Sequence, residues 1–368
     1  MNNLPLVSIL IPTYNQPKFF RFTLESAINQ NYPNIEIIVS DDSTDDRVKT
    51  VFNEYKNCGR NLKYLKHGGY IDESVGERSL KNMENLLEHA NGEFVNILYH
   101  DDLIYPQKIS TMMKFFMSDM GDKIAIVSSQ RDAIDENGNL IGIIQTLAHP
   151  NFDSNGVSKL RGMEVGRILI SYFANFIGEL STVLIRRKDF YRDCVKKLSP
   201  GYFLGIRDLT MWDVSTYLEV LKDDRYLFFL EKPLSAFRMA GGSQNTYNIE
   251  MRIHMAMDWI AFVAGCYMQN LYIDKFSSFV FSSQNWYKII VDHIFETDVG
   301  DLKINENVPL MEIESLLRAS EAVMENQFDV VFDIAVNWIE KFSSETFEVE
   351  KYAVQNSHGI WIRERDLI

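Results

Sequence analysis

The apolar residues of the N-terminal half form short runs that alternate with segments of helical spacing. Residues 6–11, 35–40 and 94–99 are runs of strand length, and residues 79–90 carry apolar side chains every three or four positions. Nearly continuous apolar runs are typical of strands buried on both faces, and the wider spacing is typical of helices with one buried face. This alternation predicts a mostly parallel α/β sheet flanked by helices.

Two of these runs end in adjacent aspartates. Asp101 and Asp102 follow residues 94–99, and Asp41 and Asp42 follow residues 35–40. The carboxyl ends of parallel strands meet at one edge of an open α/β sheet, where ligands bind. Carboxylates at that edge suit a hard divalent cation that also holds a diphosphate. The alternative is that such acids only shape turns or cap helices, which is the role we expect for Asp41 and for residues 45–46. Because two pairs occur in register, a nucleotide and metal site is the better hypothesis.

Composition narrows the classes of function. A chain of 368 residues exceeds one ordinary core and suggests two domains, while the net charge of −14 argues against a nucleic-acid partner. The negative charge is compatible with a phosphorylated substrate, because a bound cation reverses the local field. The three cysteines form no CxxC pair, no apolar segment approaches the roughly 20 residues of a membrane span, and the first residues lack signal-peptide features. We therefore expect a cytoplasmic protein with no transmembrane segment, acting in the cytoplasm or at the inner face of the membrane.

Four segments together resemble family 2 glycosyltransferases of the GT-A fold. They are residues 12–15, 30–39 and 41–46, and residues 90–94 leading into Asp101 and Asp102. The resemblance covers about residues 5–240. It implies a GT-A-type, Rossmann-like catalytic domain over residues 1–244 and leaves residues 245–368 as a helical C-terminal region. The implied reaction is the inverting transfer of a hexose or N-acetylhexosamine from a UDP-sugar to an acceptor hydroxyl. The acceptor would be a bacterial surface glycan or glycoprotein under synthesis.

The resemblance also implies roles for individual residues. The turn after the first strand and the two acid pairs would hold the base and ribose of the nucleotide through Pro12, Thr13, Tyr14, Asp42 and Asp101. Asp102, with Asp101 beside it, would bind Mn²⁺ or Mg²⁺ bridging the diphosphate. Arg78 and Asn82 would face the nucleotide sugar. The chemistry agrees, since an aromatic ring can stack on a base, a carboxylate can accept from a ring N–H, and a cation can neutralise a departing diphosphate. Two purely structural alternatives stay open. Tyr14 could cap the core, and Arg78 could be a solvated charge at a helix end.

An inverting transfer also needs a carboxylate that takes the proton of the acceptor hydroxyl. Asp213 matches the later acid of an acidic motif that the family usually carries at a helix start, whereas Met211 stands where another acid is often found. We favour Asp213 as the base and keep Asp208 as the alternative. Asp213 could otherwise be a helix N-terminal acid favoured by the macrodipole. The segment 233–243 resembles the family's closing segment, with Met239 near the position of an expected histidine.

The C-terminal third loses the strand signals and shows helical periodicity. Residues 313–324 and 330–342 each carry a complete apolar stripe, which predicts a helical hairpin packed on the catalytic domain or on a partner. This region would influence acceptor choice or form a homo-oligomer through its helices. The aromatic residues between 266 and 287 are expected to be core or interface rather than a sugar-stacking surface.

Two other functions remain as alternatives. A sugar-nucleotide nucleotidyltransferase shares the layered architecture, but it would normally show a glycine-rich phosphate loop where this chain has residues 12–15. A non-catalytic sugar-nucleotide-binding subunit of a glycosylation complex is suggested by Met211 and Met239, which replace polar groups of the family pattern. Retention of Asp101, Asp102 and Asp213 argues against it.

Overall fold

The computed structural model describes residues 4–67, 75–144, 151–207, 210–239, 249–291, 310–342, 354–356 and 359–361. The chain divides into two compact units. The first contains Met1–Gly162, Asn175–Pro200 and Asp223–Gly242, and the second contains Met163–Ala174, Gly201–Lys222 and Ser243–Ile368. The boundary expected at residue 244 lies beside the last of these junctions. Two earlier segments also belong to the second unit, and one of them includes Asp213.

The first unit is built on one mixed sheet. The strands of the chain are β1 (Val7–Thr13), β2 (Ile35–Asp41), β3 (Asn61–Lys66), β4 (Phe94–Ile97), β5 (Leu103–Ile104), β6 (Ile124–Ile134), β7 (Leu140–Ile143), β8 (Val157–Arg161), β9 (Leu184–Arg186), β10 (Tyr191–Arg192), β11 (Lys197–Leu198), β12 (Tyr202–Phe203), β13 (Ile206–Arg207), β14 (Tyr226–Arg238), β15 (Val354–Asn356) and β16 (Gly359–Trp361). The sheet order is β3-β2-β1-β4-β9-β6-β14-β5, with β7 paired to β6 and β8 paired to β14. Strands β3, β2, β1 and β4 are parallel neighbours, and β9 is antiparallel to both β4 and β6.

The described residues of the first unit include the helices α1 (Pro17–Ile28), α2 (Arg47–Glu54), α3 (Val75–His89) and α4 (Lys108–Phe116). Helix α1 begins at Pro17, whose fixed backbone suits a first helical turn, and buries Phe20, Leu24 and Ala27 as the spacing predicted. Every residue of β1 and β2 is buried, as expected for strands covered on both faces. The predicted architecture, a mostly parallel sheet flanked by helices, is confirmed.

One predicted strand begins later than expected. The apolar run at residues 182–185 predicts a strand, but Leu180–Thr182 form a 3-10 turn and β9 begins at Leu184. The turn is held locally, because the Thr182 hydroxyl donates to the carbonyls of Ile177 and Glu179 at 3.0 and 2.7 Å. A side chain that bonds its own neighbouring backbone competes with the sheet ladder, so the strand starts beyond it.

The second unit is mainly helical in its described part. Its helices are α5 (Gly162–Tyr172), α6 (Trp212–Leu221), α7 (Ile249–Met268), α8 (Phe276–Trp286), α9 (Leu310–Met324) and α10 (Phe328–Phe342), with a π-helix at Tyr287–Val291. The helical hairpin predicted near the C-terminus is therefore present as α9 and α10. Tyr267, Phe279 and Trp286 are buried, in agreement with the core role expected for the aromatic segment. Of the helices in the described ranges, none has the length and apolarity required to cross a lipid bilayer.

Gly92 allows β1 and β4 to lie close together. A Cβ at this position would lie 2.5 Å from the Ser8 Oγ and 2.6 Å from the Ser8 backbone nitrogen, so strand β1 would have to move. We expect Gly92→Ala to lower the free energy of unfolding by about 1–3 kcal/mol, the usual cost of overpacking. Urea unfolding measures it. Gly142→Ala is the control, because a Cβ at Gly142 meets nothing within 4 Å. Equal changes in the two variants would contradict this account.

Candidate active site

Three neighbouring parallel strands bring most of the predicted site residues to one edge of the sheet. Thr13 at the end of β1 pairs with Asp41 at the end of β2, and β4 lies on the other side of β1. The register continues past β4, since the Leu98 amide donates to the Leu10 carbonyl at 2.8 Å. The segments that begin at Tyr14, at Asp42 and after Leu98 therefore leave the sheet at the same edge, where ligands bind in open α/β sheets.

The loops after β1 and β2 are hydrogen-bonded to each other. The Asp42 amide donates to the Thr13 carbonyl at 3.0 Å, and the Asn15 amide donates to the Ser43 Oγ at 2.8 Å. Asn15 has a φ of 50°, a left-handed conformation that asparagine tolerates. Pro12 is buried within β1. Tyr14 is held at the rim of these loops with 38% of its surface exposed, so it does not cap the core.

Arg78 of α3 lies against Tyr14. Its guanidinium carbon is 5.3 Å from the centroid of the Tyr14 ring, a cation–π contact, and the residue is half-buried. Burial raises the pKa of the Asp42 carboxyl, while the positive charges of His67 and Arg78 act in the opposite direction. Arg78 is thus engaged with the two predicted base-binding residues and is not a fully solvated helix-end charge.

Three predicted site residues each hold a buried polar atom that has no hydrogen-bond partner among the described residues. The atoms are the Oγ1 of Thr13, the Nε of Arg78 and the Oδ1 of Asn82. Asn82 is 4% exposed, and its amide nitrogen donates to the Ser40 carbonyl at 3.3 Å. A buried polar atom without a partner costs about 1–3 kcal/mol, so natural proteins keep few of them. These three unpartnered atoms lie at the end of β1 and in the first half of α3. A polar ligand bound there would complete their hydrogen bonding.

The other acids near β2 have local structural roles. The buried Asp41 carboxylate accepts from the Ser43 amide at 2.9 Å and from the Tyr64 hydroxyl. Asp45 accepts from the Arg47 amide at 2.9 Å at the start of α2. Asp46 stands at the N-cap of α2 without a side-chain cap bond. Asp42 is therefore the half-exposed acid of the first pair.

The second acid pair places a buried carboxyl group beside a half-buried one. Asp102 is 2% exposed, and Asp101 beside it is half-buried. Burial raises the pKa of the Asp102 carboxyl well above its usual range, and the charges of Asp101 and Glu179 raise it further. The Ser181 hydroxyl and the Arg238 amide, 3.3 Å from the Asp102 Oδ1, favour the ionised form. A cation bound here would relieve the repulsion.

These acids fit a divalent ion that is shared with a substrate. In the part of the chain that the structure describes, no three His, Cys, Asp or Glu side chains form a metal cage. A magnesium-like ion held together with substrate phosphates needs only one or two carboxylates from the protein. Asp102 and Asp101 supply that number, and their mutual repulsion is the condition that a cation would correct.

Arg238, at the end of β14, holds the segment that carries the acid pair, a role that sequence reasoning did not assign. Its Nε donates to the Asp101 carbonyl at 2.8 Å, and its Nη1 donates to the Asp135 carbonyl at 2.7 Å. The guanidinium carbon lies 4.9 Å from the ring centroid of Phe19 and 5.5 Å from that of Phe22. The match of residues 233–243 to the family's closing segment contained this arginine, but nothing in the sequence linked it to Asp101.

Lys108 is a second residue that sequence reasoning missed. It begins α4, is fully buried, and donates its Nζ to the Ser181 carbonyl. Burial lowers the pKa of Lys108 to about 7, and the charge of Asp102 opposes that shift. A buried ammonium group is costly unless opposite charge lies near. Ser181 links the two residues, since its carbonyl accepts from Lys108 and its hydroxyl bonds the Asp102 carboxyl.

The depressed pKa of Lys108 gives the folding stability a pH dependence. Between pH 7 and the ordinary lysine pKa of about 10.4, the unfolded chain holds more protons at Lys108 than the folded chain does. The stability contributed by this residue is therefore lowest below pH 7 and rises as the pH increases toward 10, by at most about 1.4 kcal/mol per pH unit. We expect the free energy of unfolding of the wild type, measured in urea, to increase relative to that of Lys108→Met between pH 7 and pH 9. Lys114→Met, at an exposed position of the same helix, should show no such gain, and parallel curves for Lys108→Met and the wild type would refute the assignment.

The favoured base lies in the second unit. Asp213 stands in the first turn of α6, is half-buried, and accepts from the Val214 amide at 2.8 Å. The helix macrodipole favours its negative charge at this end. Met211 is the N-cap residue and is 6% exposed, so it supplies no polar group in place of an acid. Asp208, the alternative base, lies outside the described residues.

The sheet topology and the residues at the sheet edge identify the fold as that of the GT-A glycosyltransferases. The family model "Glycosyl transferase family 2" matches residues 8–175. Residues 8–175 therefore form a family 2 glycosyltransferase domain, which confirms the suspected resemblance for that part of the chain. The match contains all the predicted site residues of β1, β2, α3 and the Asp101–Asp102 segment.

Known proteins resemble the chain in sequence and in structure. An uncharacterized glycosyltransferase of Rickettsia typhi is 34% identical over 143 residues, covering 38% of this chain and 41% of that protein. A Campylobacter jejuni GalNAc(5)-diNAcBac-PP-undecaprenol β-1,3-glucosyltransferase is 32% identical over 111 residues, covering 30% of this chain and 34% of that protein. The chain thus spans about two fifths or less of the length of these relatives. The structure of residues 1–349 of TarS from S. aureus in complex with UDP-GlcNAc has a TM-score of 0.52 at 15% identity, covering 96% of this chain and 95% of that one. That likeness shows the fold.

Proposed function

We propose that this chain is an inverting, metal-dependent glycosyltransferase that moves a hexose or N-acetylhexosamine from a UDP-sugar to an acceptor hydroxyl. One observation carries the proposal. Neighbouring parallel strands of a family 2 domain bring Tyr14, Asp42 and the Asp101–Asp102 pair to one sheet edge. Thr13, Arg78 and Asn82 carry buried polar atoms that have no hydrogen-bond partner among the described residues.

The nucleotide would be held by the loops after β1 and β2. The exposed Tyr14 ring offers a stacking face, with Arg78 in contact with it, and Asp42 offers a carboxylate to a ring N–H of uracil. The unpartnered atoms of Thr13 and Asn82 would complete hydrogen bonds to the nucleotide sugar. The choice of uridine is also supported by TarS, which shares the fold and has been solved with UDP and with UDP-GlcNAc.

Mn²⁺ or Mg²⁺, when bound, would neutralise the charge that develops on the departing diphosphate. Asp102 and Asp101 would hold it. Within the protein, the Ser181 hydroxyl bonds the Asp102 carboxyl, Lys108 donates to the Ser181 carbonyl, and Arg238 donates to the backbone carbonyl of Asp101. These contacts keep the acid pair in place before substrate arrives, which is the preorganisation that catalysis requires.

Asp213 would take the proton of the acceptor hydroxyl as its oxygen attacks the anomeric carbon, and Asp208 is the alternative. The acceptor would be a bacterial surface glycan or glycoprotein made in the cytoplasm or at the inner face of the membrane. The Campylobacter relative, which is named for an undecaprenol-linked glycan, supports an acceptor of that class. A homo-oligomer through the C-terminal helices is retained in the proposal, because Leu317 and Met324 of α9 are exposed apolar residues.

A second candidate is a non-catalytic sugar-nucleotide-binding subunit. It is favoured by the buried Met211, which leaves the start of α6 with one acid fewer than the family pattern. The subunit would bind UDP-sugars without turnover. The family match favours glycosyl transfer over the nucleotidyltransferase alternative.

Release of UDP from a panel of UDP-sugars tests the proposal. The purified protein is incubated with UDP-glucose, UDP-galactose, UDP-GlcNAc and UDP-GalNAc in Mn²⁺, in Mg²⁺ and in EDTA. We expect slow hydrolysis of one donor, present with metal and absent with EDTA. Tyr14→Ala should weaken UDP binding about tenfold, the worth of one base-stacking contact. Tyr191→Ala is its control, since Tyr191 is exposed to 49% and belongs to β10. Failure to bind any uridine nucleotide would refute the proposal, and binding without turnover, even with acceptor glycans, would favour the second candidate.

A further inference from the structure

A buried carboxylate stands within the apolar helix α7 of the second unit. Asp258 is 2% exposed, and its neighbours Met257 and Trp259 are buried as well. Burying a carboxylate is costly unless strong donors surround it. Two are present: the Thr210 hydroxyl donates to the Asp258 Oδ2 at 3.0 Å, and the Trp338 indole Nε1 donates to the Oδ1 at 3.1 Å. Both carboxylate oxygens are therefore engaged.

The two donors come from distant parts of the second unit. Trp338 lies on α10 and is 4% exposed. Thr210 directly precedes Met211, the residue that caps α6 and whose carbonyl accepts from the Ser215 amide at 3.0 Å. Asp258 therefore joins α7 and α10 to Thr210, which lies two residues before the first residue of α6 and three before Asp213.

The start of α6 has no side-chain hydrogen bond from its own cap residue. Met211 cannot make the bond that Ser, Thr, Asp or Asn would make at an N-cap. The hydrogen bond from Thr210 to Asp258 anchors the chain one residue earlier. A general base must be placed to within a fraction of an ångström, and small displacements lower rates by large factors.

We propose that Asp258 is a positioning residue, which acts through Thr210 to fix the start of α6 and so the placement of the Asp213 carboxylate. The inference rests on the proposed function, in which Asp213 is the base. It gives the C-terminal helices, to which the family match does not extend, a part in catalysis. Trp338 holds the opposite oxygen of Asp258 and keeps that carboxylate turned toward Thr210.

The test uses the full chain and the UDP-release assay. Thr210→Val removes the hydroxyl at nearly constant volume, and Thr210→Ser restores it. We expect Thr210→Val to lower kcat about tenfold, as misplacement of a base does, with the donor KM and the UDP Kd within twofold of wild type. Thr210→Ser should recover at least half of the wild-type kcat. In an Asp213→Asn background, Thr210→Val should cause no further loss, because its effect passes through Asp213.

A pair of tryptophan substitutions provides a matched comparison. Trp338→Phe removes the donor to Asp258, whereas Trp286→Phe removes a donor to the Ala256 carbonyl, which lies 2.7 Å from the Trp286 Nε1. Both residues are buried, so both variants should lower Tm. Only Trp338→Phe should lower kcat at a temperature where both proteins are folded.

Two results would overturn the positioning role alone: an unchanged kcat in Thr210→Val, or an equal loss from Thr210→Val with and without Asp213. If Asp213→Asn by itself keeps the wild-type kcat, the proposed base is wrong and the inference falls with it. If the wild type releases UDP from no donor, the proposed function itself has failed, and the inference has failed with it. The outcomes are therefore distinguishable.

Discussion

Asp213→Asn should lower kcat for UDP release about 10³-fold while the affinity for UDP stays within twofold of wild type. Asparagine has the size of aspartate and suits a first helical turn, but its amide cannot take a proton. Loss of a general base costs about 10²–10⁴-fold. Because Asp213 lies half-buried in the first turn of α6, where asparagine is close in size and shape to aspartate, the fold should tolerate the change. Steady-state kinetics together with UDP binding measure the two quantities.

Glu219→Gln is the matched control for that experiment. Glu219 is a half-buried acid on the same helix, paired with Lys222 at 2.5 Å. We expect its neutralisation to leave kcat within a few-fold of wild type. Should Asp213→Asn remain fully active, the base assignment passes to Asp208, and Asp208→Asn becomes the decisive variant.

Asp102→Asn should abolish metal-dependent turnover and, in the same protein, leave the fold as stable as before. A neutral amide is a poor ligand for a hard divalent ion, so UDP binding should lose its dependence on Mn²⁺ and kcat should fall at least 10³-fold. In EDTA near pH 7, the unfolding midpoint should be at or above that of wild type. The reason is the raised pKa of Asp102, because a buried carboxyl with that shift stabilises the fold when protonated and loses this contribution as the pH rises through its folded pKa. Calorimetry and UDP titration with and without Mn²⁺ check both parts.

A surface aspartate separates the two effects of that substitution. Asp122, in the 3-10 turn before β6, is exposed, so Asp122→Asn should change neither the metal dependence nor the unfolding midpoint. A lower midpoint for Asp102→Asn would mean that the carboxylate is chiefly structural. Retained metal-dependent turnover would remove Asp102 from the proposed metal site.

The stability of the native chain and its proposed chemistry thus make opposite demands on the Asp102 region. Burial of Asp102 beside Asp101 and Glu179 disfavours the charged form that a metal ligand needs. Lys108, Ser181 and Arg238 offset part of that cost from the protein side. Functional sites typically show this conflict, because placing charged groups for function lowers the stability of the fold.

Local features of the sequence were enough for the main architecture. The alternation of β1, α1 and β2 could be predicted because strand and helix periodicities are properties of neighbouring residues. The meeting of Tyr14, Asp42 and Asp101 at one edge followed from parallel strand order, since strands that alternate with helices must run the same way. The helices α9 and α10 were visible for the same reason as α1. The start of β9 was predicted two residues too early. The Thr182 hydroxyl bonds nearby backbone carbonyls, and the hydrophobic periodicity of the sequence carries no information about such a bond.

The sequence by itself determined the fold class, the family resemblance of residues 8–175 and the edge of the sheet where the acids stand, because each depends on spacing along the chain. Only the tertiary structure decided what surrounds those acids. The partners of Asp102 and of Asp101 come from β14 and from the turn before β9, more than 70 residues away, and Asp258 is joined to Thr210 across 48 positions. The sequence does not distinguish a buried lysine from an exposed one. Whether a lysine has an altered pKa depends on the desolvation and the charges that folding places around it.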